Sequence, residues 1–518
     1  MNRIAIVSNR LPPLDREEAS AGGLAVGIGA ALAKFGGAWL GWDGQISSGP
    51  DRGQRIQQTD PYTVVSLALS EDEHAGYYIG FANRTLWPIF HGRPDLVRFD
   101  PSDFATYRAV NARFAEQFAA STHDADVIWV HDYHFLCMGE ELRRLGVRLP
   151  IDFFLHIPFP PADTLAALPC HRELISALSA FDLVGFQTDN DLRNFHEYAA
   201  RHLGATVSDD GTVVVRGRQF RAGVFPIGID TLGFAELAVS KEAGVLRDRL
   251  GGCFGGQLGM IGVDRLDYTK GLDYRLRAFE RMLETAPAQC GRSLLLQIAA
   301  PSREAIPEYA ELRSELEALS GRINARHARL DWTPVRYINR AFSQTRLAAL
   351  YRLSRVGVVT PLCDGMNLVA KEYVAAQSPD DPGVLVLSRF AGAAERLSGA
   401  LLVDPYDIDG TASAMRQALG MSLEERRERW SEMIAELREH DVHVWRDDFL
   451  RALIEAHSYC LSGGSPNNAA VIPFGKSTQR GDGMGPTSKA GRRASDVVLI
   501  RRSHGRRSDH ATACSDAF

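Results

Sequence analysis

The chain has 518 residues, of which 45% are hydrophobic and 24% are charged, and this predicts a globular protein of roughly two to four domains. A formal net charge of −6 argues against nucleic acid as a general partner, and the lack of a long apolar run argues against a membrane span. The apolar stretch after Met1 is too short for a signal peptide, and the seven cysteines are scattered, so we expect a cytoplasmic protein with reduced thiols.

The first predicted strand, residues 4–8, is closely followed by Arg10. A guanidinium at the carboxyl end of a strand can hold a phosphate through two parallel hydrogen bonds. Further on, Gly22 and Gly23 open a helix of small residues, but the segment does not match the dinucleotide-binding pattern G-x-G-x-x-G. Paired glycines predict a close approach between the backbone and a ligand, although loop flexibility alone would also explain them.

Aromatic side chains are frequent in the next segment. Trp39 and Trp42 lie in a Gly-rich stretch, and Tyr77, Tyr78 and Trp87 follow. Aromatic residues are mostly found in protein cores, yet flat rings near Gly and Asn would also suit the apolar face of a sugar ring. The sequence leaves both interpretations open.

Two consecutive predicted strands are each followed by polar side chains. The strand at 126–130 leads to Asp132, and the strand at 151–155 leads to His156. Ligands of open parallel sheets bind outside the carboxyl ends of the strands, so these two residues are candidates for a site. Two more strands complete this predicted sheet, at residues 182–186 and 222–225.

A second α/β series is predicted after residues 231–256, which are helical and then Gly-rich and so indicate a domain seam. Its first strand, 258–263, is followed by Arg265 and Lys270 beside a glycine. Two cations at this position can neutralise a diphosphate without a metal ion, whereas a solvated charged loop would have the same composition. Further strands are predicted at 294–298, which Arg303 follows, and at 356–360 and 384–387.

Residues 361–372 combine the end of a buried strand, an Asp-Gly turn and the start of a helix. The turn places Asp364 and Gly365 beside the free amides of the first helical turn, which can face an anion. Glu372 lies ~6 Å along the helix from Leu368 at 1.5 Å per residue. Two carboxylates flanking a bank of amides could hold a nucleotide sugar, although Asp-Gly is also a common turn without chemistry.

The end of the chain contains features to which we assign no catalytic chemistry. Asp407 and Asp409 form an Asp-x-Asp sequence, which we interpret as turn and helix-cap chemistry and not as a metal site. Charged helices are predicted at roughly 422–460. Residues 462–518 contain nine Lys/Arg and four Asp/Glu without helical periodicity, which predicts a largely disordered basic tail.

In these motifs and their order, the chain resembles the retaining glycosyltransferases of the GT-B fold and, among them, the trehalose-6-phosphate synthase family. The matching stretches extend to about residue 458 and lie at residues 8–10, 19–24, 86–88, 131–134, 154–160, 264–268 and 364–373. The resemblance implies two Rossmann-like α/β domains whose parallel sheets face a central cleft. The implied limits are 1–235 for the acceptor domain, 236–445 for the donor domain, 446–461 for a helix that crosses back and 462–518 for the tail.

The family resemblance implies transfer of glucose from UDP-glucose to glucose 6-phosphate, with retention of configuration, in trehalose biosynthesis and osmoprotection. The implied donor-binding residues are Gly22, Gly23, Arg265, Lys270, Asp364, Gly365, Met366, Asn367, Leu368, Val369 and Glu372. The implied acceptor-binding residues are Arg10, Tyr78, Trp87, Asp132 and Arg303, with both arginines on the acceptor phosphate. The residues implied in catalysis are Asp132, His156, Arg265, Lys270 and Asp364, with His156 on the 6-hydroxyl of the donor sugar.

The same resemblance implies two small-molecule substrates, no cofactor, no metal ion and assembly as a homodimer or homotetramer. Two features depart from the family pattern. Position 363 is Cys where the family often has Arg, which affects the loop but leaves Asp364 and Gly365 in place. The tail beyond residue 460 matches nothing in the family core.

Two other functions stay open at this point. One is a different GT-B sugar synthase, similar to glycogen synthase or sucrose-phosphate synthase; Arg10 and Arg303 argue against a polysaccharide acceptor, which needs no phosphate clamp. The other is an inactive sensor of sugar phosphates, which would not need an intact set of catalytic residues. The sequence does not decide whether the base of the donor is uracil, guanine or adenine.

Overall fold

The computed structural model describes residues 3–12, 23–48, 55–121, 124–254 and 256–461. Residue contacts divide the chain into two units, Met1–Asn467 and Asn468–Phe518, and every described residue belongs to the first. The predicted tail, 462–518, and Gly22 therefore lie outside the described residues. The described part contains two β-sheets with helices packed around them.

The first sheet is built from the first half of the chain. Its strands are β1 (Ile4–Arg10), β2 (Gly37–Ser47), β3 (Arg55–Thr59), β4 (Tyr62–Ser70), β5 (Val127–His131), β6 (Ile151–Phe154), β7 (Leu183–Phe186), β8 (Thr206–Val207), β9 (Thr212–Val215) and β10 (Arg218–Val224). Their spatial order is β3-β4-β2-β1-β5-β6-β7-β10-β9-β8. The seven neighbouring strands β4, β2, β1, β5, β6, β7 and β10 run parallel. The strands β3, β9 and β8 extend the two edges in antiparallel hairpins.

The second sheet is entirely parallel. Its strands are β11 (Leu258–Arg265), β12 (Ser293–Ala300), β13 (Val335–Ile338), β14 (Val356–Val359), β15 (Val384–Ser388) and β16 (Leu401–Val403). Their spatial order is β13-β12-β11-β14-β15-β16, which is the order of a Rossmann fold. Buried parallel strands favour continuous apolar runs, and β14 and β15 consist almost wholly of Val and Leu.

The helices connect the strands and cover both sheets. The α-helices are α1 (Gly23–Phe35), α2 (Glu71–Glu73), α3 (Trp87–Phe90), α4 (Pro101–Ser121), α5 (Met138–Arg144), α6 (Ala162–Leu165), α7 (His171–Ser176), α8 (Asp189–Tyr198), α9 (Thr231–Val239), α10 (Lys241–Phe254), α11 (Leu272–Thr285), α12 (Pro307–His327), α13 (Gln344–Leu353), α14 (Leu368–Ala376), α15 (Ile408–Gly420), α16 (Leu423–Glu439) and α17 (Val442–Leu461). Two π-helical segments are His74–Leu86 and Ala199–Leu203. Among the described helices, none combines the length and apolarity needed to cross a bilayer.

Each sheet contains one place where the strand order reverses. In the first sheet this is the crevice between β1 and β5, here called the first switch point; in the second it lies between β11 and β14, the second switch point. Open α/β sheets bind ligands outside the carboxyl ends of the strands at such points. The first switch point carries Arg10 and Asp132, and the second carries Arg265 and Asp364.

Helix α17 returns the chain from the second sheet to the first. The backbone N–H of Val442 donates to the carbonyl of Ile229 at 3.1 Å, so the two chain crossings between the sheets are bonded to each other. Farther along, Trp445 and Phe449 pack against Trp129 beneath the first sheet, with ring centroids 5.1 and 5.7 Å away. Helix α17 therefore packs against the first sheet, while the predicted domain limits, including the crossing helix at 446–461, stay predictions.

The expected strands are all present, but several elements were not expected from the sequence. Among them are the strands β2 to β4, β8, β9, β13 and β16 and the π-helical segment His74–Leu86. Glycines interrupt β2 and weaken its strand pattern. One of them, Gly37, has a φ of 118° and lies so close to the Ile4 carbonyl that a Cβ atom would collide with it. The glycine is needed for the pairing of β2 with β1, which only the folded sheet reveals.

Candidate active site

Asp132 follows β5 at the first switch point and has an unusual backbone conformation. Its φ is 75°, a left-handed value that non-glycine residues rarely adopt and that often marks a functional position. Its Oδ1 accepts a hydrogen bond from the backbone N–H of His156 at 3.1 Å. Burial raises the pKa of Asp132 to about 6, although Arg265 and Arg303 nearby oppose this shift. The carboxylate therefore ionises close to neutral pH within a cationic surrounding.

A row of aromatic rings begins at Arg10 and forms one wall of the first switch point. The Arg10 guanidinium lies 4.7 Å from the ring centroid of Trp42, which meets Tyr78 edge-on at 5.2 Å. Tyr78 stacks on His134 at 6.3 Å. Arg10 is exposed, and it makes no ion pair with any residue in the described ranges. A cation at the end of an aromatic wall suits a sugar ring that carries a phosphate.

Arg303 reaches from the second sheet into the same wall. Its guanidinium lies 3.8 Å above the ring of Trp87, and Arg265 lies 5.4 Å from the same ring. Arg303 also pairs with Asp267 at 2.6 Å and donates to the side-chain oxygen of Asn83 at 2.6 Å. Trp87, a predicted acceptor residue of the first sheet, thus contacts Arg303, a predicted acceptor residue of the second, and also Arg265, which was predicted to bind the donor.

Asp267 was not singled out from the sequence, although it lies two residues after Arg265 in the matching stretch 264–268. It is fully buried, and the indole N–H of Trp87 donates to it at 3.4 Å. Burial alone would raise its pKa, but Arg303 and Arg265 outweigh that effect and hold the pKa below its usual value. Asp267 is therefore a fixed anion that holds Arg303 in place.

Lys270 and Asp364 form an ion pair at the second switch point. The Lys270 Nζ lies 2.5 Å from Asp364 Oδ2, and the Asn367 side-chain amide donates to the same oxygen at 3.0 Å. The backbone of Asp364 is held by hydrogen bonds to Phe390 and from Gly392, both at 3.1 Å. These contacts hold the turn that follows β14 in a single arrangement before any ligand binds.

The amides expected to face an anion lie at the start of α14. Asn367 caps this helix with a φ of 76°, and its Oδ1 accepts from the backbone N–H of Ala370 at 3.1 Å. The backbone N–H groups from Gly365 to Val369 donate to no acceptor within the part of the chain that the structure describes. Free amides at a helix start carry the positive end of the helix dipole. This bank of amides therefore presents partial positive charge at the second switch point.

Gly365 also brings the two switch points into contact. A Cβ atom at this position would collide with the backbone carbonyl of His156, which belongs to the first sheet. A Cβ atom on Gly392 would likewise meet the side chain of Thr188. Only glycine permits this approach, so the loop after β14 and the end of β6 form opposite sides of one narrow cleft.

The ring of His156 is held by protein partners on both nitrogens. The oxygen of the Gln187 amide accepts from the backbone N–H of Ile227 at 3.0 Å, so its nitrogen faces His156 Nδ1 at 3.2 Å. The His156 Nε2–H then donates to His131 Nδ1 at 3.0 Å. Burial lowers the pKa of His156 to about 3, so the ring is neutral. A bond from this ring to a sugar hydroxyl would have to replace the bond to His131, and that role stays a prediction.

Glu372 lies one turn inside α14, away from the Lys270–Asp364 pair. Its Oε2 is 3.5 Å from the hydroxyl of Tyr351 on α13, and burial raises its pKa to about 7. The neighbouring Lys371 donates to the Ile227 carbonyl at 2.6 Å and so ties α14 to the crossing between the sheets. The predicted contact of Glu372 with ribose hydroxyls is not tested by these contacts.

Three further expectations concern cysteines, metals and Gly23. The thiol of Cys363 is half-buried, and burial together with Asp364 raises its pKa to about 12. Asp407 caps α15 by accepting from the Gly410 N–H at 2.9 Å, as expected of helix-cap chemistry. Gly23 is the first residue of α1. Within the described ranges, the cluster with metal-ligand spacing is Glu280, Glu284 and His327, which lies on α11 and α12 outside the cleft.

Comparisons with known proteins agree with this geometry. The family model for glycosyltransferase family 20 matches residues 2–455. A trehalose-6-phosphate synthase from Sinorhizobium fredii is 48% identical over 464 residues, which cover 89% of this chain and 100% of that protein. A crystal structure of an α,α-trehalose-phosphate synthase (UDP-forming) from Burkholderia xenovorans, in complex with glucose 6-phosphate, has a TM-score of 0.85 at 49% identity and covers 87% of this chain and 100% of that one. An E. coli structure bound with UDP-2-fluoro glucose has a TM-score of 0.82 at 42% identity and covers 87% and 98% of the two chains.

These similarities extend over both sheets and over all the described motif residues. The expected GT-B fold, with two Rossmann-like domains, is confirmed by the solved structures that the chain resembles. The resemblance to the trehalose-6-phosphate synthases is likewise confirmed by the matching relatives. This chain therefore belongs to glycosyltransferase family 20.

Proposed function

We propose that this protein transfers glucose from UDP-glucose to glucose 6-phosphate, with retention of configuration, to give α,α-trehalose 6-phosphate and UDP. The observation that carries the proposal is the meeting of two unlike sites across one cleft. Arg10 and an aromatic wall lie at one switch point, while Lys270, Asp364 and a bank of amides lie at the other. The related structures bound to glucose 6-phosphate and to a UDP-glucose analogue support the same pair of substrates.

The second switch point acts on the leaving group. Cleavage of the bond between glucose and the diphosphate places negative charge on the departing UDP. In this proposal Lys270, Arg265 and the amides of residues 365–369 face this charge; the position of Lys270 beside Asp364 and the unpaired state of the amides support the assignment. Groups fixed in this way stabilise the transition state more than the bound substrate, and this difference is what accelerates the reaction.

The first switch point holds the acceptor. Arg10 and Arg303 take the phosphate of glucose 6-phosphate, and Trp87 and Tyr78 border its sugar ring. With a pKa of about 6, Asp132 is ionised at neutral pH and can accept a hydrogen bond from a hydroxyl of glucose 6-phosphate. In this proposal the acceptor hydroxyl attacks the face from which UDP departs, and a phosphate oxygen of UDP takes the hydroxyl proton. No covalent bond to the enzyme is required.

Several finer assignments remain part of the proposal. Gly22 and Gly23 close over the donor, Glu372 holds the ribose hydroxyls, and His156 holds the 6-hydroxyl of the donor glucose. The reaction as proposed uses no cofactor and no metal ion. Assembly into a homodimer or homotetramer and a cytoplasmic location also stay predictions.

One assay tests the proposal. Purified protein is incubated with glucose 6-phosphate and, in turn, UDP-, GDP- and ADP-glucose, and both nucleotide release and the disaccharide phosphate are measured. We expect turnover with glucose 6-phosphate, fastest with UDP-glucose, and little with unphosphorylated glucose, which lacks the group that Arg10 and Arg303 hold. Release of nucleotide without glucose 6-phosphate, or binding without turnover, would favour another sugar synthase or an inactive sensor, respectively.

A further inference from the structure

A second polar cavity lies at the opposite edge of the first sheet from the cleft. Its volume is about 500 Å³, within the range of small-molecule sites, and four arginines, two serines and one glutamate contribute to its lining. Arg218 begins β10, and Arg143 lies at the end of α5, before β6 begins. The cavity is therefore at the amino-terminal edge of the sheet, whereas Asp132 and His156 follow the carboxyl ends of their strands. It is separate from the proposed active site.

Two of the four arginines already have partners. Arg143 pairs with Asp182 at 2.8 Å and also donates to backbone carbonyls, and Arg144 pairs with Glu141 at 2.7 Å. Within the described part of the chain, the exposed side chains of Arg216 and Arg218 form neither a hydrogen bond nor an ion pair. The free donors of the cavity are therefore these two guanidinium groups.

The turn that carries these two arginines has an unusual residue at its first position. Arg216 and Gly217 connect β9 to β10 with φ values of 49° and 79°, as in a type I′ turn. Asn and Gly suit the first position of such a turn, and Arg does not, because its side chain gains no local hydrogen bond there. The hairpin alone does not account for an arginine at this position. A role for the Arg216 side chain in the cavity accounts for its presence there.

The remaining polar lining groups are two serines and one glutamate. The Ser176 hydroxyl donates to the Glu173 carbonyl at 3.0 Å, and the Ser179 hydroxyl donates to the Ser176 carbonyl at 2.7 Å, so both oxygens are oriented as acceptors. Glu140 is the carboxylate in the lining; burial raises its pKa, while Arg108 and Arg218 oppose this. Because Asp182 and Glu141 neutralise Arg143 and Arg144, the lining keeps two unpaired cations against the Glu140 carboxylate, an excess of positive charge that favours an anion.

The cavity wall is connected to the helix that joins the two sheets. Asp182, the partner of Arg143, also bonds to His457 on α17 at 3.1 Å. The thiol of Cys460, on the same helix, donates to the Gln219 carbonyl of β10 at 3.2 Å. An occupant of the cavity therefore contacts a wall that is continuous with α17.

We propose that this cavity binds a small phosphorylated anion through Arg216 and Arg218, at a site distinct from the catalytic cleft. Guanidinium forks match phosphate oxygens in pairs, and two unpaired forks fit a phosphate or diphosphate better than a simple halide. The proposal concerns only this cavity and does not depend on the reaction proposed for the cleft.

Isothermal titration of the full-length protein with inorganic pyrophosphate tests the proposal. The test variant is Arg216→Gly with Arg218→Ser, in which glycine suits the left-handed turn and protects the fold. The matched control is Arg148→Ser with Arg172→Ser, which removes two exposed arginines from the same domain. Thermal unfolding of all three proteins verifies that they are folded.

We expect the unmodified protein and the control to have one more pyrophosphate site than the test variant. If the variant keeps that site, its affinity there should be at least about tenfold weaker. Turnover without pyrophosphate should be the same in all three proteins. Identical isotherms for the unmodified protein and the test variant would overturn the proposal. An equal loss in the control would overturn it as well, because the effect would then be one of general surface charge.

Discussion

The two switch points have the same topology and opposite chemistry. At the first, Arg10 borders a row of aromatic rings, and Asp132 has a pKa raised to about 6 by burial. At the second, Lys270 and Asp364 are paired at 2.5 Å beside the unpaired amides that begin α14. Rings and a peripheral cation suit a sugar that keeps its phosphate, whereas fixed cations and amides suit a leaving group that gains charge. The same strand order thus supports two different tasks.

The comparison implies different kinetic effects for mutations at the two places. Groups that act on charge formed during the reaction should affect kcat, because they bind the transition state more strongly than the substrate. Groups that hold the acceptor before and during the reaction should mainly affect its KM. Two variants test this division and a third tests the buried acid of the first switch point, in order of the size of the expected effect.

Lys270→Ala should lower kcat by on the order of 10²–10³, comparable with the loss of one oxyanion donor. The variant removes a cation from the proposed leaving-group site and, among the described residues, leaves Asp364 with Asn367 as its side-chain partner. Initial rates at saturating levels of both substrates measure the effect. Arg281→Ala, at a half-exposed arginine of α11 that pairs with Asp409, is the control and should keep normal turnover. A normal kcat for Lys270→Ala would remove the second switch point from the mechanism.

Arg10→Ala should raise the KM for glucose 6-phosphate by roughly tenfold or more, since hydrogen bonds to charged groups contribute about 1.5–3 kcal/mol. The KM for UDP-glucose should stay unchanged, because Arg10 lies on the acceptor side of the cleft. Steady-state kinetics with each substrate varied separately make the measurement. Arg55→Ala, on the edge strand β3, removes an exposed arginine of the same sheet and is the matched control. An effect confined to UDP-glucose would show that Arg10 belongs to the donor site.

Asp132→Asn should raise the stability of the folded protein while lowering its activity. The gain in stability should depend on pH. The pKa of Asp132 in the folded protein is about 6, above its ordinary value of 3.8, so the folded state holds the proton more tightly than the unfolded state. The stability that the protonated Asp132 carboxyl contributes is therefore lost as pH rises from 3.8 to about 6. Asn does not titrate and also tolerates a positive φ, so the variant avoids this loss.

Thermal unfolding at pH 7.5 and pH 4.5 measures this effect. We expect the melting temperature of Asp132→Asn to exceed that of the unmodified protein by about 2 °C at the higher pH, with a smaller difference at the lower one. A difference that is equal at both values would mean that the backbone conformation, and not the charge, determines the gain. A lower melting temperature at pH 7.5 would contradict the burial of this carboxylate.

Much of the fold and part of the candidate site could be predicted from local sequence. Apolar β-branched runs predicted β5, β11 and β14, because buried parallel strands require them on both faces. The polar residues after these strands were predicted as site residues because ligands bind outside the carboxyl ends of parallel strands. The strand β2 was missed because its glycines serve a close approach to β1, and such a requirement is invisible until the neighbouring strand is in place.

The pairings within the site could not be predicted in this way. Arg303 and Asp267 form a buried ion pair, and Lys270 reaches Asp364 across 94 positions of the chain. Gln187 determines which nitrogen of His156 carries the proton, although nothing near His156 in the sequence indicates it. Each of these contacts depends on groups that the chain brings together only after both sheets have formed.

The sequence by itself determined which chemical groups follow each strand: an arginine after β1, an acid after β5, two cations after β11 and an Asp-Gly turn after β14. The tertiary structure decided which of those strand ends are neighbours, because strand order is set by the packing of whole helices and sheets and not by local residue preference. Side chains far apart in the chain can therefore act on one substrate only where the order of strands reverses and two such crevices meet.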